Sequence, residues 1–282
     1  MSRWLLAATV LAGAVLGATP GVAAAARGPL ARYAPVVVEA SDDPSGLTSV
    51  EAFAGRVPGV PSGTPAPTVY GRRDGPWLQY WLLFASNDQD RGVLRTGRHE
   101  GDWELVQYRL RSGRLVRAVY AQHAVAESCG MSQVRRSRGR PVVFLARGSH
   151  AAYFRPGVRD RTWPDPNDEA DGRGARIRPR LVRVTEDAPP WMRYPGRWGS
   201  ARASWVPGEM DSPRGPAFQG VRWDDPSAWA ASARPCTKRD CDHRGECDGR
   251  ETAIAAVLAF LGLLVAIWYG VRRARRSEPA AA

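Results

Sequence analysis

Residues 97–110, "GRHEGDWELVQYRL", set four titratable side chains, His99, Glu100, Asp102 and Glu104, directly against an apolar strand pattern. Dehydrating such charges is costly unless something pairs with them, so their types and spacing mark a candidate chemical site. In a strand, residues two apart share a face, which points Asp102 and Glu104 the same way as Val106, Tyr108 and Leu110. Two further histidines close later apolar runs, His123 in "RLVRAVYAQH" and His150 in "RPVVFLARGSH". Carboxylates on one face repel unless a cation sits between them. Asp, Glu and His converging with room for water suit a divalent cation. Oxygen-dominated ligation favours Mg²⁺, Ca²⁺ or Mn²⁺ over the Zn²⁺ that several histidines would favour. Asp88 and Asp90, in "ASNDQD", stand ready to add oxygen from a neighbouring loop. The rival arrangement needs no metal: His99 or His123 as imidazolium against Asp102 and Glu104, with Arg98 alongside.

The elements that must position these groups are strands. Short apolar, β-branched and aromatic runs separated by turn residues cover 78–85, 102–110, 114–123, 140–150 and 180–184, after a first strand within 36–40. Their spacing, with no amphipathic helix of three turns between them, predicts an all-β fold, an antiparallel β-sandwich with long loop-rich excursions. Residues 27–35, 53–76, 156–180 and 187–227 read as loops, rich in Gly and Pro. The tryptophans at 163, 191, 198, 205, 223 and 229 are expected to plug those loops onto the core. "RSGR" at 111–114 reads as a hairpin connection. If Leu110 pairs with Leu115, Asp102 faces His123 across the ladder, close enough for shared coordination. A slip of one residue would turn His123 to the other face.

Two apolar segments set the expected address. Trp4–Leu16 behind Arg3, followed by "GVAAAAR", reads as a secretory signal cut after Ala25 or Ala26. Residues 252–271, "TAIAAVLAFLGLLVAIWYGV", carry no charge over a length of about 30 Å, enough to span a bilayer. Trp268 and Tyr269 suit the interface, and "RRARR" places that end in the cytoplasm. The expected organisation is therefore a signal peptide at 1–26, a loop-rich approach with one strand at 27–76 and a β-sandwich domain at 77–230. A Cys-rich juxtamembrane stalk at 231–251, a transmembrane helix at 252–271 and a basic cytoplasmic tail at 272–282 follow. The expected location is the cell membrane, single-pass, with the N-terminal domain outside.

The net charge of +12 invites an anionic partner, yet Lys238 is the only lysine, as expected of GC-rich coding bias. No dense basic run with interleaved aromatics resembles a nucleic-acid groove in the outer domain, and no nucleic-acid partner is expected. Four cysteines in an exported chain point to two disulfides with three connectivities among Cys129, Cys236, Cys241 and Cys247. One is expected to tie the stalk to the loop around Cys129. The alternative is a small metal knot using His243, whose C-x₄-C-x₅-C spacing fits no common zinc pattern.

"YWLLFASNDQD", "GRHEGDWELV", "YAQH", "GRPVVFLARGSHAAY", "GRWG" and "PRGPAFQGVRWDDPSAW" resemble, in that order, the family related to vacuolar protein sorting-associated protein sixty-two. A more distant likeness is to the necrosis- and ethylene-inducing-like proteins, whose Gly-His-Arg-His-Asp-Trp-Glu heptapeptide opens a strand. That resemblance implies a cytolysin-type β-sandwich and a divalent cation held by His99, Asp102 and Glu104 with Asp88 or Asp90 upstream. It also implies that the cation docks a sugar headgroup of a membrane lipid, with His123 near the family's strand-end histidine. Glu100-Gly101 replaces the heptapeptide's Arg-His pair, and Ala124 replaces the Gly after the strand-end histidine. Cytolysis is not carried over to a tethered chain.

The first expectation is a tethered binding module in which His99, Asp102, Glu104 and Asp90 hold the cation and His123, His150 and Asp88 help bind a glycan or glycolipid headgroup. A second is a metal-dependent hydrolase of a phosphoester or glycoside, with His123 or His150 as proton shuttle. A third is a cell-envelope scaffold in which the motif only locks the hairpin. No P-loop or nucleophile elbow is present, and the balance leans away from an enzyme.

Overall fold

The computed structural model describes residues 28–89, 97–159, 167–201, 211–236 and 249–276. The signal-peptide region, Asp90, Trp163, Trp205, Cys241, His243 and Cys247 lie outside them.

The described residues are mostly β-sheet. Strands β1 (Val36–Val38), β2 (Thr68–Asp74), β3 (Trp77–Asn87), β4 (His99–Arg111), β5 (Arg114–Gln122) and β6 (Val125–Gly130) come first. They are followed by β7 (Arg136–Ser137), β8 (Arg140–Leu145), β9 (Ala152–Tyr153), β10 (Gly157–Arg159), β11 (Asp168–Ala170), β12 (Arg176–Ile177), β13 (Arg180–Arg183) and β14 (Arg234–Pro235). The helices are α1 (Pro29–Tyr33), α2 (Val221–Asp224), α3 (Pro226–Ser232) and α4 (Gly249–Arg276). The larger sheet runs β13-β2-β3-β4-β5-β6-β14, and the smaller runs β12-β1-β8-β7 with β9 on β8.

Both sheets are mixed, which corrects the expectation of a purely antiparallel arrangement: β1 pairs β8, β13 pairs β2 and β14 pairs β6 in parallel. Thr68–Asp74, expected as loop, is an integral strand of the larger sheet, and β1 lies inside the smaller one. The loop expected at 156–180 contributes three short strands, β10 to β12.

The central strands are buried on both faces, which explains their near-continuous apolar runs. Leu78, Tyr80, Leu82, Phe84, Val106, Tyr108 and Tyr120 pack against Val37, Val143, Leu145 and Ala152 of the smaller sheet. The alternate residues Trp81, Leu83, Trp103 and Leu105 meet Trp191, Trp198, Trp223 and Trp229 on the opposite face. The described loop tryptophans thus plug a second core, as expected of them. Trp103 stands edge-on to Trp198 at 5.0 Å, and Trp198 to Trp191 at 5.5 Å. Asp225 caps α3 by accepting from the backbone of Ser227 and Ala228. The buried amides of Gln79 and Gln107 donate to the carbonyls of Arg222 and Pro226, fixing α2 and α3 on the sheet.

The β4–β5 hairpin opens in the expected register, Leu110 opposite Leu115, but then shifts, with Arg109 opposite Arg117 and Val106 opposite Tyr120. Val116 is the extra residue of a bulge. The bulge lets Leu115 join Ala118 and Tyr120 in the same core. It also ends the expected pairing of Asp102 with His123: β5 stops at Gln122, and His123 turns left-handed at φ 57°.

Residues 249–276 form a helix whose side chains are described over 257–269 and at 272. Among the described residues no helix is long and apolar enough to cross a membrane. Cys236 is disulfide-bonded to Cys129 on β6, the expected link between stalk and domain, closing 107 residues of chain. Chain entropy alone gives about 4.7 kcal/mol for a loop near that length, and loss of a native disulfide typically costs about 2–5 kcal/mol. Replacing both cysteines by Ser should lower stability by that amount in denaturant melts, with the wild type falling equally under reductant.

Candidate functional site

The four charged residues that open β4 part company. Glu100 turns away: its Oε2 accepts from the Ser200 backbone at 3.1 Å and hydroxyl at 3.0 Å, with Arg56 at 3.7 Å. Gly101 is left-handed at φ 58°, and a Cβ there would overlap the Trp198 carbonyl oxygen. The "GRWG" segment presses on β4 at this point, so no side chain fits where the heptapeptide has a histidine. His99 Nδ1 faces the Gly101 carbonyl at 3.2 Å and is not joined to either acid.

Asp102 and Glu104 do share a face, with Val106 and Tyr108, as the alternation requires. They enter a buried cluster between the two sheets. His150, from the turn after β8, donates Nδ1–H to Asp102 Oδ2 at 2.8 Å and Nε2–H toward Asp43 Oδ1 at 3.4 Å. Its ring lies flat on Phe84, 3.8 Å between centroids. Both nitrogens donate, so the ring is an imidazolium held between two carboxylates. Burial opposes its charge, but the hydrogen bonds and charges of Asp102 and Asp43 prevail and push its pKa up to about 9. Asp43 also accepts from the backbone of Ser45 and Gly148. Burial pushes Asp43 up, yet the bond to His150 leaves it below the usual carboxylate range.

A second buried carboxylate organises the neighbouring part. Asp168 on β11 is fully buried and takes four hydrogen bonds: Gln89 and Ser149 on Oδ1, His123 and Tyr153 on Oδ2 at 2.7 and 2.6 Å. Against the upward push of burial, His123 and the two hydroxyls hold its pKa down. His123 is the more open member, its side chain 24 % exposed, and its carbonyl accepts from Arg222. Both histidines adopt left-handed backbone, φ 57° and 54°, a conformation disfavoured for side-chain-bearing residues and kept here by buried bonds.

Glu104 stands apart. It is buried, and its Oε2 has no hydrogen-bond partner. Burial, then the charge of Asp102, drives its pKa well above the usual value, while Arg222 and His150 pull the other way. Burial and the neighbouring Asp102 both favour its protonated form.

Of the sequence-derived residues, the fold thus joins Asp102 and His150 directly and brings Glu104 within their field. His123 belongs to Asp168. Asp88 pairs with Arg98 at 3.7 Å, and its backbone packs on Gly148. Asp90 lies outside the described residues. Asp43, Asp168, Ser149, Tyr153 and Arg222 were not singled out by residue type and spacing. Ser149 and Tyr153 sit within "RGSHAAY", but Asp43 and Asp168 lie in polar turn-like stretches with no distinguishing pattern. Among the described residues no three His, Cys, Asp or Glu converge as a metal cage. The chemistry available is that of a buried, unpartnered Glu104 carboxyl beside two acid–imidazole hydrogen bonds.

A histidine with raised pKa contributes stability that is full below its unfolded value of 6.5 and lost as pH rises through about 9. In chelator, unfolding free energy should fall between those limits by on the order of 3 kcal/mol. His150→Gln should flatten that window, read by denaturant titration at each pH. Gly101→Ala, which must displace the Trp198 backbone, should cost more than about 2 kcal/mol by the same measurement.

No protein-family description matches the sequence, and no curated protein is similar to it. Among solved structures, one described as a toxin fold for microbial attack and plant defense aligns at TM-score 0.36 and 13 % identity, over 55 % of this chain and 72 % of that one. Necrosis and ethylene inducing protein 2, from the causal agent of cocoa's witches' broom disease, aligns at 0.35 and 14 %, over 56 % and 73 %. NLPPya in complex with glucosamine aligns at 0.34 and 14 %, over 54 % and 70 %. These solved structures include necrosis- and ethylene-inducing proteins, to which the heptapeptide pointed, at low identity. The resemblance to the vacuolar protein sorting-associated family finds no counterpart among them.

Proposed function

We propose that the chain is a membrane-tethered, extracytoplasmic β-domain that binds an oxygen-rich headgroup, a glycan or a lipid headgroup, at the mouth of β4. A divalent cation would bridge the ligand to Asp102 and Glu104. The observation that carries this reading is the buried, unpartnered Glu104 oxygen beside the Asp102 carboxylate. Such a pair is neutralised by a proton or by a cation. The donor set fits a hard ion. His123 and His150 are each engaged with a carboxylate and His99 faces backbone carbonyls, which leaves oxygen as the available ligand. A Mg²⁺-like ion is commonly held by one or two carboxylates and completed by the ligand's own oxygens, so no three-residue cage is required. When bound, the ion would supply charge for orienting the headgroup. The chain's own contribution is the fixed direction of Asp102, set by His150, and the exclusion of water by the cores on either side.

Tethering draws support from the uncharged stretch 252–271 and the arginines after it. In α4 the large apolar side chains between Val257 and Tyr269 are 46–67 % exposed, a surface that water disfavours and hydrocarbon accepts.

One observation favours a second reading. A neutral Glu104 is what a general acid requires, so the same mouth suits hydrolysis of a phosphoester or glycoside.

Melting of the full chain decides among these. Mg²⁺, Ca²⁺ or Mn²⁺ should raise the melting temperature by several degrees near neutral pH, and chelator should reverse it. Glu104→Gln should leave the metal-free melt unchanged or higher and abolish the response. Equal melting of the wild type with and without chelator would leave only a scaffold. Release of nitrophenol from aryl phosphates or glycosides by the wild type and not by Glu104→Gln would replace binding with catalysis.

A further inference from the structure

Part of the excess positive charge, which composition alone left as coding bias, is gathered at one end of the domain. Between residues 105 and 140 there are eight arginines and one acid, Glu127. Two adjoining concavities, of about 600 and 530 Å³, share Arg138 and open between the hairpins and the edge of the smaller sheet. The first is walled by Arg32, Arg114, Arg136 and Arg138, over Tyr33 and Leu115. Arg176 and Arg178 wall the second, over Val36. All six arginines are exposed, and none forms an ion pair with another described residue.

These side chains are mounted on rigid supports. Arg111–Arg114 closes the β4–β5 hairpin through left-handed Ser112 and Gly113. Ser137–Arg140 closes the β7–β8 hairpin through left-handed Arg138 and Gly139. The Tyr33 hydroxyl donates to the Gly113 carbonyl at 2.8 Å, and Arg140 donates to the Ala34 carbonyl at 3.0 Å. These bonds lash α1 to both hairpins. Like charges gathered on fixed turns without acids between them repel, and the arrangement is relieved by an external anion. Guanidinium groups suit phosphate oxygens, which they bind bidentately.

The point at which the described chain stops bears on the source of that phosphate. Strand β14 runs parallel to β6, Arg234 beside Glu127 and Pro235 beside Ser128, and Cys236 is bonded to Cys129. Cys129 is followed by Gly130, which faces Arg117 on the strand that leaves the Arg114 hairpin. Cys236 therefore lies on the arginine side of β6, and α4 begins at Gly249.

We infer that the concave face bearing Arg32, Arg114, Arg136, Arg138, Arg176 and Arg178 docks on the anionic phospholipid headgroups of the membrane that holds α4. This rests on the tethered reading above. The occupant is the bilayer surface: its anionic headgroups complement the exposed arginines, and Cys236, the last described residue before α4, lies on their side of β6. Each basic residue beside an anionic bilayer contributes about fivefold in partitioning, so three reversals remove at least about a hundredfold.

The test uses the full chain in nanodiscs of neutral phosphatidylcholine or of an equal mixture with phosphatidylglycerol. Amide exchange over 109–117 and 135–140 should slow at least tenfold or so on the anionic discs only, and recover at high salt. The variant Arg114→Glu, Arg136→Glu, Arg138→Glu changes exposed side chains and should lose the protection while melting as the wild type does. Resistance of the chain to extraction by alkaline carbonate reports on the tether separately. Equal exchange on both discs with the chain inserted would overturn the docking face and leave the tether standing. Protection by added soluble polyphosphate, with none from the anionic bilayer, would also overturn it. If carbonate strips the chain, the tether fails. The face is then upheld only by salt-sensitive sedimentation with anionic vesicles and overturned by none.

Discussion

The imidazolium of His150, held between Asp102 and Asp43, is the interaction on which the described structure turns. A charge this deeply buried survives only when paired and hydrogen-bonded. Here the pair joins β4 of the larger sheet, the turn after β8 of the smaller one and the loop that carries Asp43. Removing His150 would leave two buried carboxylates without the cation they share. The ring also stacks flat on Phe84 of β3, so the same side chain fills the apolar seam and neutralises the polar one. Asp168 plays the matching part on the neighbouring edge, where its four donors come from the end of β3, two turns and β9.

Glu104 gains its character from this frame. Its neighbour Asp102 is bonded to His150, whereas burial without a partner pushes the Glu104 pKa up. Two carboxyl groups two residues apart thus meet opposite surroundings, one paired and one unpaired. A protein that only needed a tight hairpin would be served by an apolar residue at 104. The acid at 104 is therefore the feature on which the proposed headgroup site rests.

Strand identity was legible where apolar runs were long: β3, β4, β5 and β8 follow the alternation and the turn residues. The shared face of Asp102 and Glu104 followed from the same period of two. The register of β4 against β5 was not legible, because the bulge at Val116 answers to the packing of Leu115, Ala118 and Tyr120, a tertiary demand. Asp168 escaped for a related reason. It sits on a three-residue strand far along the chain, and its burial is decided by His123, Ser149, Tyr153 and Gln89 arriving from elsewhere. The need for glycine at 101 was not legible either, because it is set by the Trp198 backbone in the space a side chain would take, a contact between segments nearly a hundred residues apart.

The bulged hairpin separates two chemistries along one ribbon. Strand β4 has 13 residues, about 40 Å of extended chain, with the carboxylates toward its start and Arg111 at its end. On the inferred orientation the basic tip rests on lipid, and the acid mouth stands far beyond the Debye length from the headgroups beneath it. On that orientation, a ligand held at the acid mouth and a surface met by the basic tip would be engaged at the same time, without competing for the same groups.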